Sequence, residues 1–337
     1  MIRRHAEKRK GYYMEYKYLG RTGMRVSSLC LGTMNFGSTT TEEEAFQIMD
    51  AALEAGINFF DTANNYGFLT GDQGITERII GRWFAQGGGR RERVILATKV
   101  HEDMHDENDG PNTVPGLSIY KVRRHFEASL KRLQTDHVEV YYMHHVDRRV
   151  SWEEKWDAFQ NLYERGMIDY IGASNFPAWE IARAQGEAKA RHFMGISVEQ
   201  DKYNLACRLP ELELLPACRE YGIGVTTWSP LEGGLLSGKG AETLRKKNNA
   251  ALEQKYGPQL AQYKKICGEA GLEEADVALA WLLHNPIVTS PIIGARTLEQ
   301  MEKSIRAMEI KLDDDMLRAL DEVFPGPGGE APEAYAW

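Results

Sequence analysis

The sequence predicts an α/β protein of one domain, a closed (β/α)8 (TIM) barrel with long loops at the C-terminal ends of its strands. Eight short apolar runs alternate with stretches of helical period, which indicates parallel strands joined by helices. No GxGxxG motif follows any of these runs, so the dinucleotide signature of an open doubly wound sheet is missing. The length of 337 residues first suggests two domains of about 150 residues, but one barrel with long loops accounts for it.

The predicted strands and helices alternate along the chain. The strands span residues 28–31, 58–61, 94–99, 138–144, 170–174, 195–200, 224–228 and 290–294. The helices span residues 42–55, 76–84, 118–133, 152–165, 178–190, 212–221, 275–284 and 298–307. Thr41 and Glu44 form a capping-box pattern at the start of the first helix. Glycine follows several helices, where it readily takes the left-handed conformation that ends a helix.

The two ends of the chain differ from the barrel pattern. We expect a basic N-terminal tail at 1–13, the barrel at 14–322 and a C-terminal tail at 323–337. The first 13 residues lack the apolar run of a signal peptide. Residues 324–337 are rich in glycine and proline, which predicts a surface segment without regular structure.

Three further segments fall between or before the strands. Residues 14–25 contain a turn at Gly20–Gly23, and we interpret them as a small hairpin over the barrel floor. Residues 101–116 and 232–256 are predicted to be irregular, and each follows the C-terminal end of a strand. Barrel enzymes place their substrate loops on that face.

Composition and charge exclude several classes of function. The 41 basic and 49 acidic residues give a net charge of −8, with no long basic run beyond the N-terminus. Nucleic acid and anionic membranes are therefore not expected as partners. The four cysteines form no CxxC motif, and no run of about 18 apolar residues occurs, so a cytoplasmic location is expected. No metal site is expected, because no carboxylate–histidine spacing accompanies His144 and His145 or the alternative ligands His101 and His105.

Polar residues stand at nearly every strand end. The second strand ends in Asp61 with Tyr66 five residues on, the third in Lys99, and the fourth in His144. The next three strands end in polar or aromatic residues at Ser174–Asn175, Glu199–Gln200 and Trp228–Ser229. A closed barrel brings all these ends around one mouth.

The first four of these residues predict proton transfer to a carbonyl group. A tyrosine has an ordinary pKa near 10, and we expect the Lys99 ammonium to lower that pKa in Tyr66. Asp61 is expected to hold Lys99 charged, and a neutral His144 to donate a hydrogen bond to the carbonyl oxygen. Because adjacent strand residues point to opposite faces, His145 is the alternative to His144. No side chain supplies a hydride, so a cofactor is required.

Eight motifs in order at the strand ends resemble the aldo-keto reductase superfamily, in the branch that includes the potassium-channel β subunits. They are GTMNFG (32–37), NFFDTANNYG (58–67), ATK (97–99), VYYMHH (140–145), IGASN (171–175), SVEQDKYN (197–204), TTWSPLEGGLLSGK (226–239) and PIIGARTLEQ (291–300). The resemblance covers about residues 14–322 and implies the barrel fold with NADP(H) bound in an extended form. It also implies a catalytic set of Asp61, Tyr66, Lys99 and His144, with Tyr66 as general acid.

The resemblance further assigns cofactor and substrate positions. The implied cofactor residues are Gly32, Thr33, Met34, Asp61, Ser174, Asn175, Gln200, Trp228, Ser229, Pro230, Leu231, Gly233, Leu235, Lys239, Gly294, Arg296, Gln300 and Ser304. Arg296 at the 2′-phosphate end favours NADP over NAD, because a guanidinium grips phosphate. Lys303 and Ser304 replace the family's frequent Glu-Asn pair, and Lys303 adds positive charge there. The implied substrate pocket contains Phe36, Phe68 and His145.

The resulting hypothesis is an NADPH-dependent reductase of a small aldehyde or ketone, with a sugar-derived carbonyl compound as one candidate substrate. Two alternatives stay open at this point. One is a cofactor-binding interaction subunit with little turnover, as in the channel-associated members of the branch. The other is a sugar dehydrogenase that works in the oxidative direction. Neither the substrate nor the oligomeric state follows from the sequence.

Overall fold

Eight parallel strands close into a barrel in the computed structural model, which describes residues 5–9, 12–238 and 246–336. The barrel strands are β4 (Cys30–Gly32), β5 (Phe59–Asp61), β6 (Ile95–Val100), β7 (Val138–Met143), β8 (Ile168–Ser174), β9 (Ile196–Lys202), β10 (Gly224–Trp228) and β11 (Val288–Ile293). Each strand pairs with its neighbours in chain order, and β11 pairs with β4 to close the ring. The predicted (β/α)8 barrel is confirmed.

Helices surround the strands. They are α1 (Glu42–Glu54), α2 (Ile75–Ala85), α3 (Ile119–Leu133), α4 (Trp152–Glu164), α5 (Ala178–Ala190), α6 (Leu214–Tyr221), α7 (Lys246–Glu269), α8 (Glu274–His284), α9 (Leu298–Arg306), α10 (Asp314–Val323) and α11 (Glu333–Ala336). Thr41 and Glu44 make the predicted capping box, in which each side chain bonds the backbone N–H of the other. This reciprocal pairing satisfies amide groups that the first turn of α1 leaves without helical partners.

The alternation of side chains along each strand divides the core into two layers. Phe59 points into the barrel and packs with Val140, Tyr142 and Val198, whereas Phe60 faces the helices outside. Tyr142 needs Gly172 on the neighbouring strand, because a Cβ at Gly172 would stand 2.2 Å from the tyrosine ring. The barrel interior is thus filled with side chains and leaves its chemistry to the mouth.

A small antiparallel sheet covers the floor. It contains β1 (His5–Arg9), β2 (Tyr12–Tyr18) and β3 (Arg25–Ser27). Leu19 and Val26 are fully buried in the interior core, and the Arg21 N–H donates to the Gly222 carbonyl at 2.8 Å, just before β10. The predicted hairpin at 14–25 therefore exists and plugs the N-terminal end of the barrel.

The structure corrects three of the predicted segments. Residues 1–13, interpreted as a tail, include the strand β1, which pairs with β2 over five residues. Residues 232–256, predicted to be irregular, include a 3-10 segment at Glu232–Ser237 and the first part of α7. Residues 324–337 include the short helix α11. Within the described residues, no helix combines the length and the apolar content that a membrane crossing requires.

Candidate active site

Lys99 lies at the base of the barrel mouth and joins the ends of β5 and β6. Its side chain is fully buried, and its ammonium donates to Asp61 Oδ1, to the Thr62 carbonyl at 2.9 Å and to Tyr66 Oη at 3.0 Å. All three N–H donors of the ammonium are therefore satisfied. The structure brings Asp61, Tyr66 and Lys99 together as the sequence predicts.

The protonation states of these groups follow from burial and charge. Burial alone lowers the pKa of Lys99, but Asp61 and Tyr66 together outweigh it and raise that pKa above its usual value. Burial raises the pKa of Tyr66, and the Lys99 ammonium offsets the rise only in part. The predicted lowering of the Tyr66 pKa is therefore wrong, because the cost of burying a phenolate exceeds the attraction of one ammonium that Asp61 already neutralises. At neutral pH, Tyr66 carries its proton.

His144 stands beside Tyr66, and the two rings meet edge to face with centroids 6.1 Å apart. Burial, followed by the charges of Lys99 and the neighbouring histidines, holds its pKa well below the usual value, so the ring is neutral. Its Nδ1 atom is buried without a hydrogen-bond partner among the described residues. An unpaired polar atom at such a position is a candidate contact for a bound molecule.

The choice between His144 and His145 does not follow strand alternation. Strand β7 ends at Met143, so the two histidines lie beyond it and their rings stack with centroids 4.8 Å apart at 11°. His144 is the histidine in contact with the Tyr66 ring. His145 is further out, with 45% of its side chain exposed.

Asn175 and Trp228 face each other across the mouth. The Trp228 indole N–H donates to Asn175 Oδ1 at 3.0 Å, and the Asn175 amide donates to the His144 carbonyl at 3.1 Å. Asn175 takes a left-handed backbone conformation with φ of 62°, which asparagine tolerates better than most residues. Both residues lie where the sequence predicts them, but they bond each other.

Ser174 and Gln200 are also tied to the protein. Ser174 Oγ donates to the Gln200 carbonyl at 2.9 Å, and Gln200 Nε2 donates to Asp61 Oδ2 at 2.8 Å. Thr33 is fully buried, and its hydroxyl donates to the Asp61 carbonyl at 3.0 Å. Gln200 and Thr33 therefore bond Asp61 directly in this structure, and Ser174 bonds the backbone of Gln200. The sequence did not reveal that role.

The loop after β10 contains the next group of predicted cofactor residues. Ser229 accepts a hydrogen bond from the Gly233 N–H at 3.1 Å, and Gly233 and Gly234 have positive φ values of 66° and 102°. Glycine allows this backbone at no steric cost. The other predicted residues here are half-buried or buried, namely Pro230, Leu231 and Leu235. Lys239 lies outside the described residues.

The residues after β11 include the last group of predicted cofactor residues. Gly294 is exposed, and the Arg296 N–H donates to Gln300 Oε1 at 2.9 Å. Ser304 Oγ donates to the Gln300 carbonyl, so it bonds within α9. Lys303 forms ion pairs with Glu273 at 3.2 Å and Glu299 at 3.6 Å. These two carboxylates reduce the net positive charge that Lys303 was predicted to add there.

The residues predicted to lie near the substrate and the nicotinamide differ in how far they are exposed to solvent. Gly32 lies against β11, where a Cβ would stand 2.6 Å from Ile292, and Met34 is half-buried. Phe68 is 47% exposed, which suits a residue at the mouth. Phe36 is fully buried in the core between strands and helices and presents no exposed surface at the mouth.

Sequence reasoning missed two polar groups that support the site. Glu232 is 5% exposed, forms an ion pair with Lys202 and accepts from Asn204 Nδ2 at 2.7 Å. Asn204 also donates to the Ser229 carbonyl at 2.9 Å, which fixes the start of the loop after β10. Asn204 had no predicted role, and the only available signal was its position shortly after a strand end.

The second group lies under the loop that carries Tyr66. His125 is buried in α3, where its Nε2 lies 2.8 Å from Asp109 Oδ2 and its Nδ1 lies 3.4 Å from Asn64 Nδ2. Asn64 is two residues before Tyr66, and its N–H donates to the Lys99 carbonyl. No local spacing links these three residues in the sequence, so only the fold brings them together.

Comparison with known proteins decides the family of this chain. The model of the aldo/keto reductase family matches residues 28–324. The chain belongs to the aldo/keto reductase family. The predicted resemblance is confirmed, and this aldo/keto reductase is an oxidoreductase.

Three relatives illustrate the kinds of protein to which this aldo/keto reductase is similar. It is 58% identical to YrpG, an uncharacterized oxidoreductase of Bacillus subtilis (strain 168), over 96% of this chain and 100% of the relative. It is 34% identical to a probable voltage-gated potassium channel subunit beta of Arabidopsis thaliana, over 96% of this chain and 100% of the relative. It is 33% identical to norsolorinic acid reductase stcV of Emericella nidulans, over 90% of this chain and 79% of the relative.

Proposed function

We propose that this aldo/keto reductase reduces an aldehyde or ketone to an alcohol with NADPH, and that Tyr66 is the general acid. One observation carries the proposal: the Tyr66 hydroxyl lies 3.0 Å from an ammonium that is itself buried against Asp61. A general acid must hold a proton and stand beside a group that stabilises its conjugate base. Lys99 is that group, because its positive charge favours the phenolate once the proton has left.

The other residues of the site orient the carbonyl group. The neutral His144 ring beside Tyr66 is suited to hydrogen-bond the carbonyl oxygen without adding a charge. Asp61 holds Lys99 in place and is itself held by Gln200 Nε2 at 2.8 Å. The bound nicotinamide cofactor would supply the hydride. The protein positions the reactants and donates the proton from Tyr66. It also stabilises the negative charge that the proton leaves on the Tyr66 oxygen.

The predicted cofactor residues suit a phosphorylated dinucleotide. Within the part of the chain that the structure describes, the Arg296 guanidinium meets no carboxylate, so it is available for a phosphate. The glycines at 233 and 234 present backbone without a side chain. Trp228 is half-buried at the end of β10, where its indole would contact a nicotinamide ring. Arg296 favours NADP over NAD, because its planar guanidinium can form two parallel hydrogen bonds to a 2′-phosphate.

The raised pKa of Tyr66 suits the acid role that reduction requires. Burial disfavours the tyrosinate form, so the phenol holds its proton at neutral pH. The norsolorinic acid reductase among the relatives also supports reduction. The channel subunit among the relatives supports a second candidate function, that of a cofactor-bound interaction subunit. Steady-state NADPH oxidation with a panel of aldehydes separates the two candidates.

Substitution of Tyr66 by Phe tests the proposal. We expect Tyr66→Phe to lower kcat for aldehyde reduction by roughly 10²- to 10⁴-fold, the usual contribution of a general acid, with the Kd for NADPH nearly unchanged. Stopped-flow absorbance gives kcat, and cofactor fluorescence gives Kd. Tyr141→Phe is the matched control, because Tyr141 is fully buried but faces the helices. Full turnover in Tyr66→Phe would remove the tyrosine assignment.

A further inference from the structure

Glu199 is a fully buried acidic side chain to which the proposed reaction gives no role. It lies on β9 directly before Gln200, whose amide reaches Asp61 in the barrel mouth. Because successive side chains of a strand point to opposite faces, the Glu199 side chain lies on the outer face of the barrel wall. There its Oε1 accepts a hydrogen bond from the Phe176 N–H at 3.1 Å. Glu199 therefore contacts the segment that follows β8.

That segment is a turn at residues 174–176, which we call the Asn175 turn, and β9 holds it at two points. The Ser174 hydroxyl and the Asn175 N–H both donate to the Gln200 carbonyl, at 2.9 Å and 3.1 Å. The Phe176 N–H donates to Glu199. Between these two points Asn175 has a φ of 62°, a conformation that a residue other than glycine keeps only where its surroundings fix it. The Glu199 carboxyl is one of the groups that fix the turn.

The Asn175 side chain links two parts of the mouth. Its Nδ2 donates to the His144 carbonyl at 3.1 Å, and its Oδ1 accepts from the Trp228 indole N–H at 3.0 Å. The His144 ring in turn meets the Tyr66 ring. A shift of the Asn175 turn would therefore disturb the residue beside the general acid and the indole that is proposed to contact the nicotinamide.

The Glu199 carboxyl contributes a hydrogen-bond acceptor and no charge. Burial raises the pKa of Glu199 well above its usual value, and the hydrogen bond from the Phe176 N–H offsets the rise only in part, so the group is neutral at neutral pH. Its Oε2 is buried without a hydrogen-bond partner among the described residues, which lowers stability. An apolar side chain of similar size would avoid that loss but could not accept from the Phe176 N–H.

We propose that Glu199 is a positioning residue, which holds the Asn175 turn so that Asn175 meets His144 and Trp228 in the geometry that binds NADPH. The inference rests on the proposed function, because it takes NADPH as the cofactor. Glu199 is itself fully buried, so it acts through the turn and not by contact with a ligand. The supporting shell of a site fixes its geometry in this way.

Two variants of Glu199 separate the hydrogen bond from the space that the side chain fills. Glu199→Met removes the acceptor, and we expect it to raise the Kd for NADPH about tenfold, the effect of one lost hydrogen bond. Glu199→Gln keeps a neutral acceptor of the same shape and should bind NADPH as the wild type does. The kcat at saturating NADPH should change far less than the Kd. Fluorescence titration gives Kd, and a purely structural defect would lower the active fraction without changing it.

Glu139→Met is the matched control at the opposite end of the barrel. Glu139 lies at the start of β7, and its Oε2 accepts from the Leu96 N–H of the neighbouring strand at 2.6 Å. Its replacement therefore removes the same kind of contact, and we expect a loss of stability with the Kd for NADPH unchanged. If Glu199→Met does not fold, Glu199→Asp withdraws the carboxyl by one methylene and should raise the Kd in the same direction.

The NMR signal of the Trp228 indole N–H tests the inference without cofactor or turnover. This signal, assigned by its loss in Trp228→Phe, should shift in Glu199→Met and keep its position in Glu199→Gln and Glu139→Met. If the wild type binds no NADPH, the proposed function fails, and the indole signal still decides the role of Glu199. An unmoved indole signal in Glu199→Met, or an equal loss of affinity in Glu199→Gln and Glu199→Met, overturns the inference.

Discussion

Lys99 carries a positive charge that has no access to solvent. Burial of a charge is costly unless partners replace the lost water, and here Asp61, Thr62 and Tyr66 supply one acceptor for each N–H. Removing Asp61 would leave that charge without its neutralising partner. Lys99 therefore has two functions that cannot be separated. It completes a buried hydrogen-bond network, and it sets the electrostatic environment of Tyr66.

Arg296 is the residue at which cofactor preference is testable. Arg296→Ala should weaken NADPH binding by roughly 10- to 100-fold, the range of a charge-assisted hydrogen bond, and leave NADH binding nearly unchanged. Fluorescence titration with both cofactors measures this difference. Lys303→Ala is the control with a small expected effect, because Lys303 already pairs with Glu273 and Glu299. An equal loss for both cofactors would contradict the proposed 2′-phosphate role of Arg296.

The proximity of two site residues can be predicted from the sequence where strand topology alone brings them together. Asp61 and Lys99 end neighbouring parallel strands, so their proximity follows from the barrel. The direction of the Tyr66 pKa shift does not follow, because it depends on how deeply the phenol is buried. The contact of His125 with Asn64 and Asp109 does not follow either, because it joins three elements without any common spacing.

Helix α1 depends on its first turn. The Thr41 side chain accepts from the Glu44 N–H, and Glu44 Oε2 accepts from the Thr41 N–H at 3.0 Å. Thr41→Ala should lower the free energy of unfolding by about 1 kcal/mol, the usual loss for an N-cap. Urea denaturation followed by circular dichroism measures the change. Thr41→Ser should retain most of the stability, and equal losses in both variants would show that the hydroxyl contact is not the cause.

Elements were harder to predict where context overrides local pattern. The strands β7 and β10 match their predicted positions within a residue, because their apolar runs are bounded by polar residues. Strand β1 has the basic, polar sequence HAEKR and forms through backbone pairing with β2. No apolar alternation marks such a strand. Helix α7 begins with the polar residues KKNN and contains Pro258 further along. Such a composition is typical of a loop.

The molecule as a whole separates stability from chemistry along the barrel axis. The hairpin that contains Leu19 closes the floor, and the candidate catalytic residues lie at the opposite end of the strands. Leu19→Ala should therefore lower the free energy of unfolding by about 2–4 kcal/mol and leave kcat for aldehyde reduction unchanged. Urea denaturation and steady-state kinetics measure the two quantities.

Leu209 provides the control for this substitution. It is 72% exposed, so Leu209→Ala should change stability by less than about 0.5 kcal/mol. A large loss of kcat in Leu19→Ala without a loss of stability would contradict the separation of the two ends.

Burial also divides the charges of the site into two sets that dissolved ions treat differently. Lys99 and Asp61 lie beneath the mouth, whereas Arg296 is partly open to solvent. At physiological ionic strength, charges are screened over about 8 Å of water, but little between buried groups. Added salt is therefore expected to weaken the capture of charged ligands at the rim and to leave the buried Lys99–Asp61 pair nearly unaffected. Ionic strength becomes a means of varying ligand capture while the chemical step stays constant.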